Sequence, residues 1–477
     1  MPNGPESFYW YDLETSGTSP ATDRIVQFAG QRTDADLNPV GPPFATDVKL
    51  PPDIVPSPES CLVTRITPQR TLAKGIDEWE AMTELQRIFS VGQTCVAGYN
   101  NLRFDDEFLR YALYRNLFDP YAREWRDGNS RWDLIDVARA TGALRPAGLE
   151  WPSADGVPTF GLQALAEANG LEHGTPHEAM SDVRATIALA RLLRDRQPRL
   201  FAYGLTLRSK HAARRLLVPF GKELCVHVSR RIPNARYCTA PVVSVAQHPT
   251  MDNGVIVADL GRDIAPLVER SAEELRESLF AEDVDERPPL KQVRLNRCPF
   301  VAPITVLRPE DARRLDIDAA LVAERRNTLL ATPGLHEKIA RVYVRDDYRD
   351  AAPDVEERLY DGFTPDPDRT ACEKLQRELR ANAPWPSVRF TDARLNELAK
   401  RLKARIRPAD LSAAERSDWE RFVATRLTAE HPRRLTVAAY RREVAERLAG
   451  ATDDAGGGVV LRALEAYGAE LEARTIA

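Results

Sequence analysis

Two carboxylates, Asp12 and Glu14, close an apolar and aromatic run that begins at Phe8. Residues i and i+2 of a β-strand point to the same face, so the two side chains would project side by side. Like charges at this spacing oppose each other's ionisation unless a cation lies between them. Hard oxygen ligands favour Mg²⁺ or Mn²⁺. The pattern indicates a metal site, although an isolated D-x-E is more often a strand that ends at the surface.

A second acidic site lies in residues 99–109 (YNNLRFDDEFL). Residues 94–99 resemble a strand, the Asn pair favours a turn, and Asp105 and Asp106 then open a helix whose positive end favours acids. Asp105 lies on the apolar face of that helix, so we expect Asp105 rather than Asp106 to point toward the sheet. Two acids that only stabilise the helix dipole are the simpler alternative.

A third site lies in residues 173–193 (HGTPHEAMSDVRATIALARLL). His177 and Asp182 are five residues apart and cannot share a helical face. They converge only if His177 lies in the loop before the helix, and we predict that the helix starts after His177. As an alternative, residues 175–178 have the form of a capping box, which would start the helix at Pro176 and leave a surface histidine at its cap.

Periodicity predicts an α/β region over residues 1–197. The predicted strands are 8–13, 25–33, 44–50 and 94–99, and the predicted helices are 69–89, 104–115, 132–141, 161–169 and 179–196. Three early strands followed by helices and a later strand predict a mixed sheet flanked by helices.

The remaining chain changes character twice. Residues 198–348 contain short strand-like runs at 224–229, 242–247, 255–260 and 291–294, with helical runs at 272–280 and 308–330. This pattern predicts a small open β-barrel or sandwich with helical insertions. The acidic, proline-containing stretch 345–370 predicts a linker, and helices follow it. We therefore expect domains at 1–197, 198–348 and 349–477.

The composition is that of a soluble globular protein: 477 residues, 43% hydrophobic and 29% charged. No run approaches the roughly 18 apolar residues of a membrane span. The first residues, MPNGPESF, lack the basic and apolar parts of a signal peptide. Six scattered cysteines without a C-x-x-C pair predict reduced thiols in the cytoplasm instead of disulfides or a zinc site.

The distribution of charge is more informative than the net charge of −5. Residues 198–248 contain nine Lys or Arg and one acid, which suits phosphate binding and equally suits a solvated surface. Residues 119–133 interleave aromatic residues with arginines. Aromatic faces stack on bases while arginines meet phosphates, and we expect this of Tyr121 and Trp125. Trp132 is predicted to begin a helix and to be buried.

The order of the three acidic sites resembles the proofreading-type exonuclease superfamily, which uses four acids and a histidine. Longer segments look like bacterial exodeoxyribonuclease I: DLETSGTSPATDRIVQFAGQRTD, GYNNLRFDDEFLRYALYRNLFDPYAREW, NSRWDLIDVARATGALRP, HEAMSDVRATIALA and LRPEDARRL. The similarity covers essentially the whole chain and is weakest in 278–290 and the C-terminal helices. It implies a ribonuclease-H-like mixed-sheet exonuclease domain, a small β-barrel-like domain with helical insertions, and a C-terminal helical domain.

The resemblance implies processive 3′→5′ degradation of single-stranded DNA to nucleoside 5′-monophosphates, in DNA repair. Asp12, Glu14, Asp105 and Asp182 would hold two Mg²⁺ ions, for which Mn²⁺ could substitute, and His177 would be the general base. Two metals about 3.5–4 Å apart stabilise the attacking and leaving oxygens of such a reaction. A histidine with an ordinary pKa of about 6.5 is neutral at working pH and accepts a proton from water.

The resemblance also implies contacts with the DNA strand. The implied contacts are Glu14, Thr15, Asn101, Arg110, Tyr121, Trp125, Arg139, Phe160, Lys210, Arg214 and Arg215. At one position the sequence departs from the family, because Gly161 follows Phe160 where relatives carry arginine. That departure puts one substrate contact in doubt.

The family also binds the acidic C-terminal tail of single-stranded-DNA-binding protein, for which Arg145, Tyr203 and Arg308 match. The chain is expected to act as a monomer, without a membrane. Two alternatives stay open: an RNA 3′-exonuclease, which would resemble the family only in the catalytic domain, and a non-catalytic scaffold for single strands. A scaffold would be expected to lack one of the five catalytic residues, and all five are present.

Overall fold

The computed structural model describes residues 5–171, 178–281, 287–344, 354–450 and 457–476. The chain forms a mixed α/β first region up to residue 197, a second region built on an antiparallel sheet, and a helical third region from residue 354. Among the helices of these described residues, not one has the length and apolar character needed to span a membrane.

The first region is built around a five-stranded mixed sheet. Its strands are β1 (Ser7–Thr15), β2 (Ile25–Asp34), β3 (Phe44–Asp47), β4 (Thr94–Gly98) and β5 (Ser130–Asp133). In the order β3-β2-β1-β4-β5, β2 is antiparallel to β1 and β3, and β4 is parallel to β1 and β5. Strand β1 is central and buried on both faces, as expected of its continuous apolar run.

Helices cover both faces of this sheet, and a two-stranded hairpin, β6 (Ser153–Ala154) with β7 (Val157–Pro158), precedes the last two of them. The helices are α1 (Pro58–Thr64), α2 (Pro68–Lys74), α3 (Glu78–Phe89), α4 (Asp105–Arg115), α5 (Ile135–Leu144), α6 (Leu162–Ala168) and α7 (Ala179–Arg196). The predicted single helix 69–89 is wrong, because it is divided between α2 and α3. Gly75 ends α2, and Asp77 with Glu80 forms a capping box that starts α3.

The periodicity predicted that Trp132 begins a helix, but Trp132 lies in β5. The Asp133 carboxylate accepts the Ile135 N–H at 3.1 Å and so marks the start of α5 two residues later. The indole N–H of Trp132 donates to the Gly204 carbonyl at 3.1 Å, and its ring meets Phe201 edge-on at 5.2 Å. Its predicted burial is confirmed, and it joins the first sheet to the second region.

The second region contains an entirely antiparallel five-stranded sheet in the order β11-β10-β9-β8-β12. Its strands are β8 (Leu224–Val228), β9 (Thr239–Gln247), β10 (Gly254–Asp259), β11 (Leu290–Arg294) and β12 (Phe300–Pro303). Its helices are α8 (Pro198–Thr206), α9 (Lys210–Leu217), α10 (Ala265–Glu269), α11 (Ala272–Phe280), α12 (Pro309–Arg314), α13 (Ala319–Ala331) and α14 (Leu335–Val342). The predicted helix 308–330 is two helices, since Asp318 caps a new one, and β12 was not predicted.

The third region is helical, as predicted. Its helices are α15 (Asp366–Arg380), α16 (Ala393–Ile406), α17 (Ala413–Thr428), α18 (Val437–Gly450) and α19 (Gly457–Ile476). The prediction of a linker over 345–370 is wrong for its described part. Residues 354–361 form two short 3₁₀ turns in which Glu356 is fully buried, and α15 starts at Asp366.

Buried ion pairs explain why this acidic stretch is ordered. We call the set the arginine cluster: Arg24, Asp53, Asp354, Glu356, Arg401, Arg405 and Arg426. Glu356 accepts hydrogen bonds from Arg24 at 2.5 Å, from Arg405 at 2.6 Å and from Arg426 at 3.1 Å. Burial opposes ionisation of Glu356, but the surrounding arginines outweigh it and hold the pKa of this carboxyl well below its ordinary range. The cluster ties the third region to the first.

Candidate active site

Strand β1 carries Asp12 and Glu14 at the point where its pairing changes. Pairing with β2 continues to the end of the strand, but parallel pairing with β4 stops at Trp10. Beyond that point the Leu13 N–H, which lies between the two acids, donates to the Asp105 carboxylate at 3.2 Å. This bond fixes the first turn of α4 beside the acidic end of β1.

Three carboxylates meet at this position. Asp12, Glu14 and Asp182 each offer an oxygen within 4.8 Å of the others, the spacing of a metal-binding group. Asp182 reaches the group from the first turn of α7, which packs across β1 and β2. Two elements that are far apart in sequence therefore supply one cluster of hard oxygen ligands, which suits Mg²⁺ or Mn²⁺.

Asp105 lies outside that group of three but close enough for its charge to act on it. Burial raises the pKa of Asp12, and the charge of Asp105 is the next contribution, ahead of Glu14 and Asp182. Burial likewise raises the pKa of Asp105 itself. We call Asp12, Glu14, Asp105 and Asp182 the acid cluster.

Asp106 has a different environment from its neighbour. Its carboxylate accepts hydrogen bonds from the Tyr11 hydroxyl at 2.6 Å, from Arg123 at 2.8 Å and from Arg131 at 2.5 Å. Burial opposes its ionisation, but these two arginines more than offset that effect and lower its pKa. With its oxygens occupied in this way, Asp106 stabilises the protein core, and of the two neighbouring acids Asp105 is the one whose charge acts on Asp12.

Within the part of the chain that the structure describes, Asp12, Glu14 and Asp105 lack such compensation. Among the described residues, no lysine or arginine forms an ion pair with Asp12, Glu14 or Asp105. Burial, followed by the charge of Asp182, raises the pKa of Glu14 to about 8. Buried carboxylates that repel each other are stabilised in the ionised form by a divalent cation, so the donor set fits such an ion.

The predicted general base, His177, lies outside the described residues. Helix α7 begins at Ala179, after His177, as predicted. One contact at its start was missed by sequence reasoning: Gln27, directly opposite Glu14 on β2, accepts the Ala179 N–H at 3.2 Å and donates to Asp47 at 2.9 Å. A single glutamine in a strand is not a recognisable sequence pattern. Its positioning role follows only from the pairing of β2 with β1, which places Gln27 opposite Glu14.

A cleft opens beside the acid cluster. Its first wall comes from Leu13–Thr15 and Gly17–Ser19 with α1, and its second wall comes from residues 431–435 of the third region. Thr15 donates its hydroxyl to the Gly17 carbonyl at 2.7 Å, which shapes the loop after β1. Sequence reasoning missed the second wall, although the run HPRR offered a basic signal.

The residues expected to contact a strand fall into two groups. Trp125 is 63% exposed, Tyr121 is half-buried, and Lys210, Arg214 and Arg215 are exposed on α9. The others are buried: Glu14, Thr15, Asn101, Arg110, Arg139 and Phe160.

The buried group differs in how its polar atoms are used. Arg110 pairs with Glu107 at 2.9 Å and with Glu124 at 2.8 Å, and Arg139 pairs with Asp136 at 2.8 Å. To contact a DNA strand, each of these guanidinium groups would have to leave its carboxylate partner and pair with a phosphate. Asn101 is 1% exposed, and neither polar atom of its side chain has a hydrogen-bond partner among the described residues. An unpaired buried amide costs about 1–3 kcal/mol, which a ligand at this site would recover.

Arg145, Tyr203 and Arg308 are brought together, as the resemblance implied they should be. They line one pocket with Leu200 and Phe300 at the junction of the first and second regions. Arg145 is held by the Val306 carbonyl at 3.0 Å, whereas the Arg308 side chain is 54% exposed. The pocket offers cations around an apolar floor.

Comparisons with known proteins cover nearly the whole chain. Residues 9–190 match the family model "Exonuclease", residues 208–345 match "Exonuclease I SH3-like domain", and residues 353–471 match "Exonuclease I C-terminal domain". The chain is 42% identical over 419 residues to exodeoxyribonuclease I of Escherichia coli strain K12, covering 87% of this chain and 88% of the relative.

Two solved structures are similar along their whole length. One is the zinc-bound form of an E. coli ExoI–ssDNA complex, with a TM-score of 0.93, 38% identity, and coverage of 98% of this chain and 100% of the other. The second, an SSB/Exonuclease I complex with an inhibitor, has a TM-score of 0.89 and 39% identity at the same coverage. The three-part fold expected from the sequence is confirmed, and the chain belongs to the exodeoxyribonuclease I family.

Proposed function

We propose that the acid cluster is the catalytic centre at which this enzyme removes nucleotides from single-stranded DNA. Members of the exodeoxyribonuclease I family are 3′→5′ exonucleases of single-stranded DNA, and this protein is one of them. The proposal assigns the chemistry to Asp12, Glu14, Asp105 and Asp182, with nucleoside 5′-monophosphates as products. The observation that carries it is the meeting of Asp12, Glu14 and Asp182 within 4.8 Å, beside a cleft that Glu14 lines.

The four acids are proposed to hold Mg²⁺. When bound, divalent ions stabilise the negative charge that develops on the attacking and leaving oxygens. The chain's own part is to keep the ligand oxygens in place: β2 fixes β1, the Leu13 N–H holds Asp105, and Gln27 anchors the start of α7 next to Asp182. His177, two residues before that helix, is proposed to accept the proton of the attacking water.

The strand is proposed to reach the cleft over aromatic and basic side chains. Trp125 and Tyr121 lie near Phe363, which is 80% exposed and meets Tyr121 edge-on at 5.7 Å. Stacking on such faces is worth about 1–3 kcal/mol per base and tolerates any sequence. Exposed Lys210, Arg214 and Arg215 would meet phosphates, and contacts spread over all three regions favour processive action. A side chain at position 161 would extend into open space. Gly161 has no side chain, so it does not make the strand contact that the arginine of relatives would make there.

The pocket around Arg145, Tyr203 and Arg308 is proposed to bind the acidic C-terminal tail of single-stranded-DNA-binding protein. Its exposed Arg308 would pair with carboxylates, while its apolar floor would take a hydrophobic side chain. A monomeric state and a cytoplasmic location remain predictions, and size-exclusion chromatography with light scattering tests the first.

One experiment tests the catalytic proposal. Oligonucleotides of DNA and RNA with the same sequence, labelled at the 5′ or 3′ end, are incubated with Mg²⁺ or with EDTA. We expect mononucleotides from the 3′ end of DNA only, abolished by EDTA and by Asp12→Asn. Release from RNA but not DNA would favour the RNA exonuclease, and binding without any cleavage would favour the scaffold. Activity that survives chelation would overturn the metal assignment.

A further inference from the structure

The loop 429–436 joins α17 to α18 and forms the second wall of the catalytic cleft. His431, Pro432, Arg433, Arg434 and Leu435 line the cleft opposite Glu14, Thr15 and Gly17. The third region thus contributes side chains to a cavity that Glu14 of the acid cluster also lines. None of the DNA contacts expected from the sequence comes from this loop.

Three residues outside the loop, Thr22, Glu357 and Asp354, fix its position. The Thr22 hydroxyl, on the first region, donates to the Arg433 carbonyl at 3.1 Å. The Glu357 side chain is 1% exposed and pairs with His431 at 3.0 Å and with Arg433 at 3.1 Å. Arg434 pairs with Asp354 of the arginine cluster at 3.3 Å. Its position is therefore set before any ligand arrives, which lowers the entropic cost of binding.

The three basic residues of the loop differ in how far their side chains are exposed. The side chains of His431 and Arg434 are 7% and 17% exposed, whereas that of Arg433 is 54% exposed. The acids Glu59 and Glu443, which also line the cleft, share Arg447 as a partner at 3.7 Å and 2.9 Å. Arg433 is therefore the cation of this wall that is most available to a ligand.

A DNA strand that enters this cleft meets the negative charge of Glu14 and its neighbours. Phosphates next to the reacting one need a cation from the protein, and an arginine offers a planar pair of donors to phosphate oxygens. Neither Glu357 oxygen has a hydrogen-bond partner among the described residues, so Arg433 can turn toward a phosphate without breaking a hydrogen bond to Glu357, and His431 stays 3.0 Å from that carboxylate.

We propose that Arg433 binds a backbone phosphate of the substrate strand close to its 3′ end, so that the third region forms part of the catalytic cleft. The inference rests on the proposed function, because it takes the strand to lie in this cleft. Arg433 acts on binding and positioning of the strand, and the reacting atoms remain with the acid cluster.

The test compares Arg433→Gln and Arg433→Lys with Arg421→Gln. Arg421 is a matched control on α17, with a 71% exposed side chain that pairs only with Asp418 among the described residues and does not line the cleft. Equilibrium binding of a fluorescein-labelled single-stranded oligonucleotide is measured in EDTA at several salt concentrations. KM, kcat and thermal unfolding are then measured with Mg²⁺.

We expect Arg433→Gln to raise Kd and KM about tenfold at low salt. Loss of one phosphate contact lowers the slope of log Kd against log salt by about 0.7 for a single strand. We expect kcat to stay within about twofold, Arg433→Lys to keep most of the salt slope, and Arg421→Gln to match wild type.

Equal Kd, KM and salt slope in Arg433→Gln and Arg421→Gln would overturn the inference. So would a variant with lower thermal stability and lower kcat but an unchanged salt slope, because Arg433 would then only support the loop. Because the binding arm needs no catalysis, an inactive wild type would contradict the proposed function while the Kd comparison still decides the role of Arg433.

Discussion

Two groups of buried acids in this protein have opposite electrostatic environments. In the acid cluster, burial raises the pKa values of Asp12 and Asp105 and takes that of Glu14 to about 8. In the arginine cluster, burial is outweighed by arginine charges, so the pKa values of Asp354 and Glu356 are lowered. The residue types are the same, and the presence of arginines makes the difference.

The contrast separates structural acids from functional ones. Acids that the protein itself neutralises contribute to the fold, whereas acids left in mutual repulsion need a ligand to complete them. Asp105 and Asp106 show that this choice is made residue by residue, since they are neighbours in sequence and belong to opposite classes. The predictions below test that separation.

The largest effect is expected from Asp12→Asn. Loss of one metal ligand should lower kcat by at least about 1,000-fold, because the charge of the transition state loses its stabilisation. The free energy of unfolding without metal should stay the same or rise, because one charge that repels its neighbours is gone. Urea denaturation and mononucleotide release measure the two quantities, with Asp195→Asn, an exposed acid on α7, as control. A destabilised but active Asp12→Asn would contradict the separation.

Glu356→Gln should show the reverse pattern. It leaves Arg24, Arg405 and Arg426 with too little negative charge, and breaking a buried ion pair costs about 3–5 kcal/mol. The free energy of unfolding from urea denaturation should fall by that amount, while kcat of the folded enzyme stays near wild type. Glu420→Gln, an exposed acid on α17, should change it by less than about 0.5 kcal/mol. A stability equal to that of the control would remove the structural role.

Asp106→Asn and Asp105→Asn test the separation of structural from functional acids at two adjacent positions. Asp106→Asn leaves Arg123 and Arg131 with only Glu124 as a counter-charge and should cost about 2–3 kcal/mol of stability. Asp105→Asn keeps an oxygen for the Leu13 N–H and should lose activity with little loss of stability. Should the two variants have interchanged phenotypes, Asp106 would be the metal ligand.

A smaller effect is expected in the pH dependence of stability. Between its ordinary pKa of 4.5 and its folded value of about 8, Glu14 binds more protons in the native than in the unfolded state. The free energy of unfolding in EDTA should therefore fall as pH rises from about 5 to 8, by on the order of 2 kcal/mol. Mg²⁺ at pH 8 should reverse the fall, and Glu14→Gln should flatten the profile.

The arginine cluster should control how the free energy of unfolding changes at acidic pH. The pKa values of Asp53, Asp354 and Glu356 are lowered on folding, so their contribution is present above the ordinary values and is lost as pH falls through the lowered ones. Acid unfolding should begin below about pH 4, and Glu356→Gln should weaken that dependence. Urea denaturation across pH 3–9 measures both ends together.

Local patterns were enough to predict the parts of the site that depend on one element. The period of β1 predicted that Asp12 and Glu14 project together, and the apolar face of α4 predicted that Asp105 points inward. The start of α7 after His177 was also predicted, because His177 and Asp182 cannot share a helical face and converge only if His177 lies in the loop before the helix.

Features that depend on distant partners could not be predicted in the same way. The stretch 345–370 has the composition of a linker, and nothing local indicates that Arg24 and Arg405 will bury Glu356. Trp132 fits a helical period, but pairing of β5 with β4 overrides it. The cleft wall at Arg433 lies in the loop between α17 and α18, and it is joined to the first region by a contact that is distant in sequence, the hydrogen bond from Thr22.

The bond between Arg24 and Glu356 also bears on how the protein is made. The two residues are 332 positions apart, and Arg24 is 1% exposed. The ribosome synthesises β1, which carries Asp12 and Glu14, long before the carboxylate that neutralises Arg24. We expect a nascent chain that ends before residue 356 to leave the first region incompletely folded, so that nuclease activity appears only after synthesis has passed that residue.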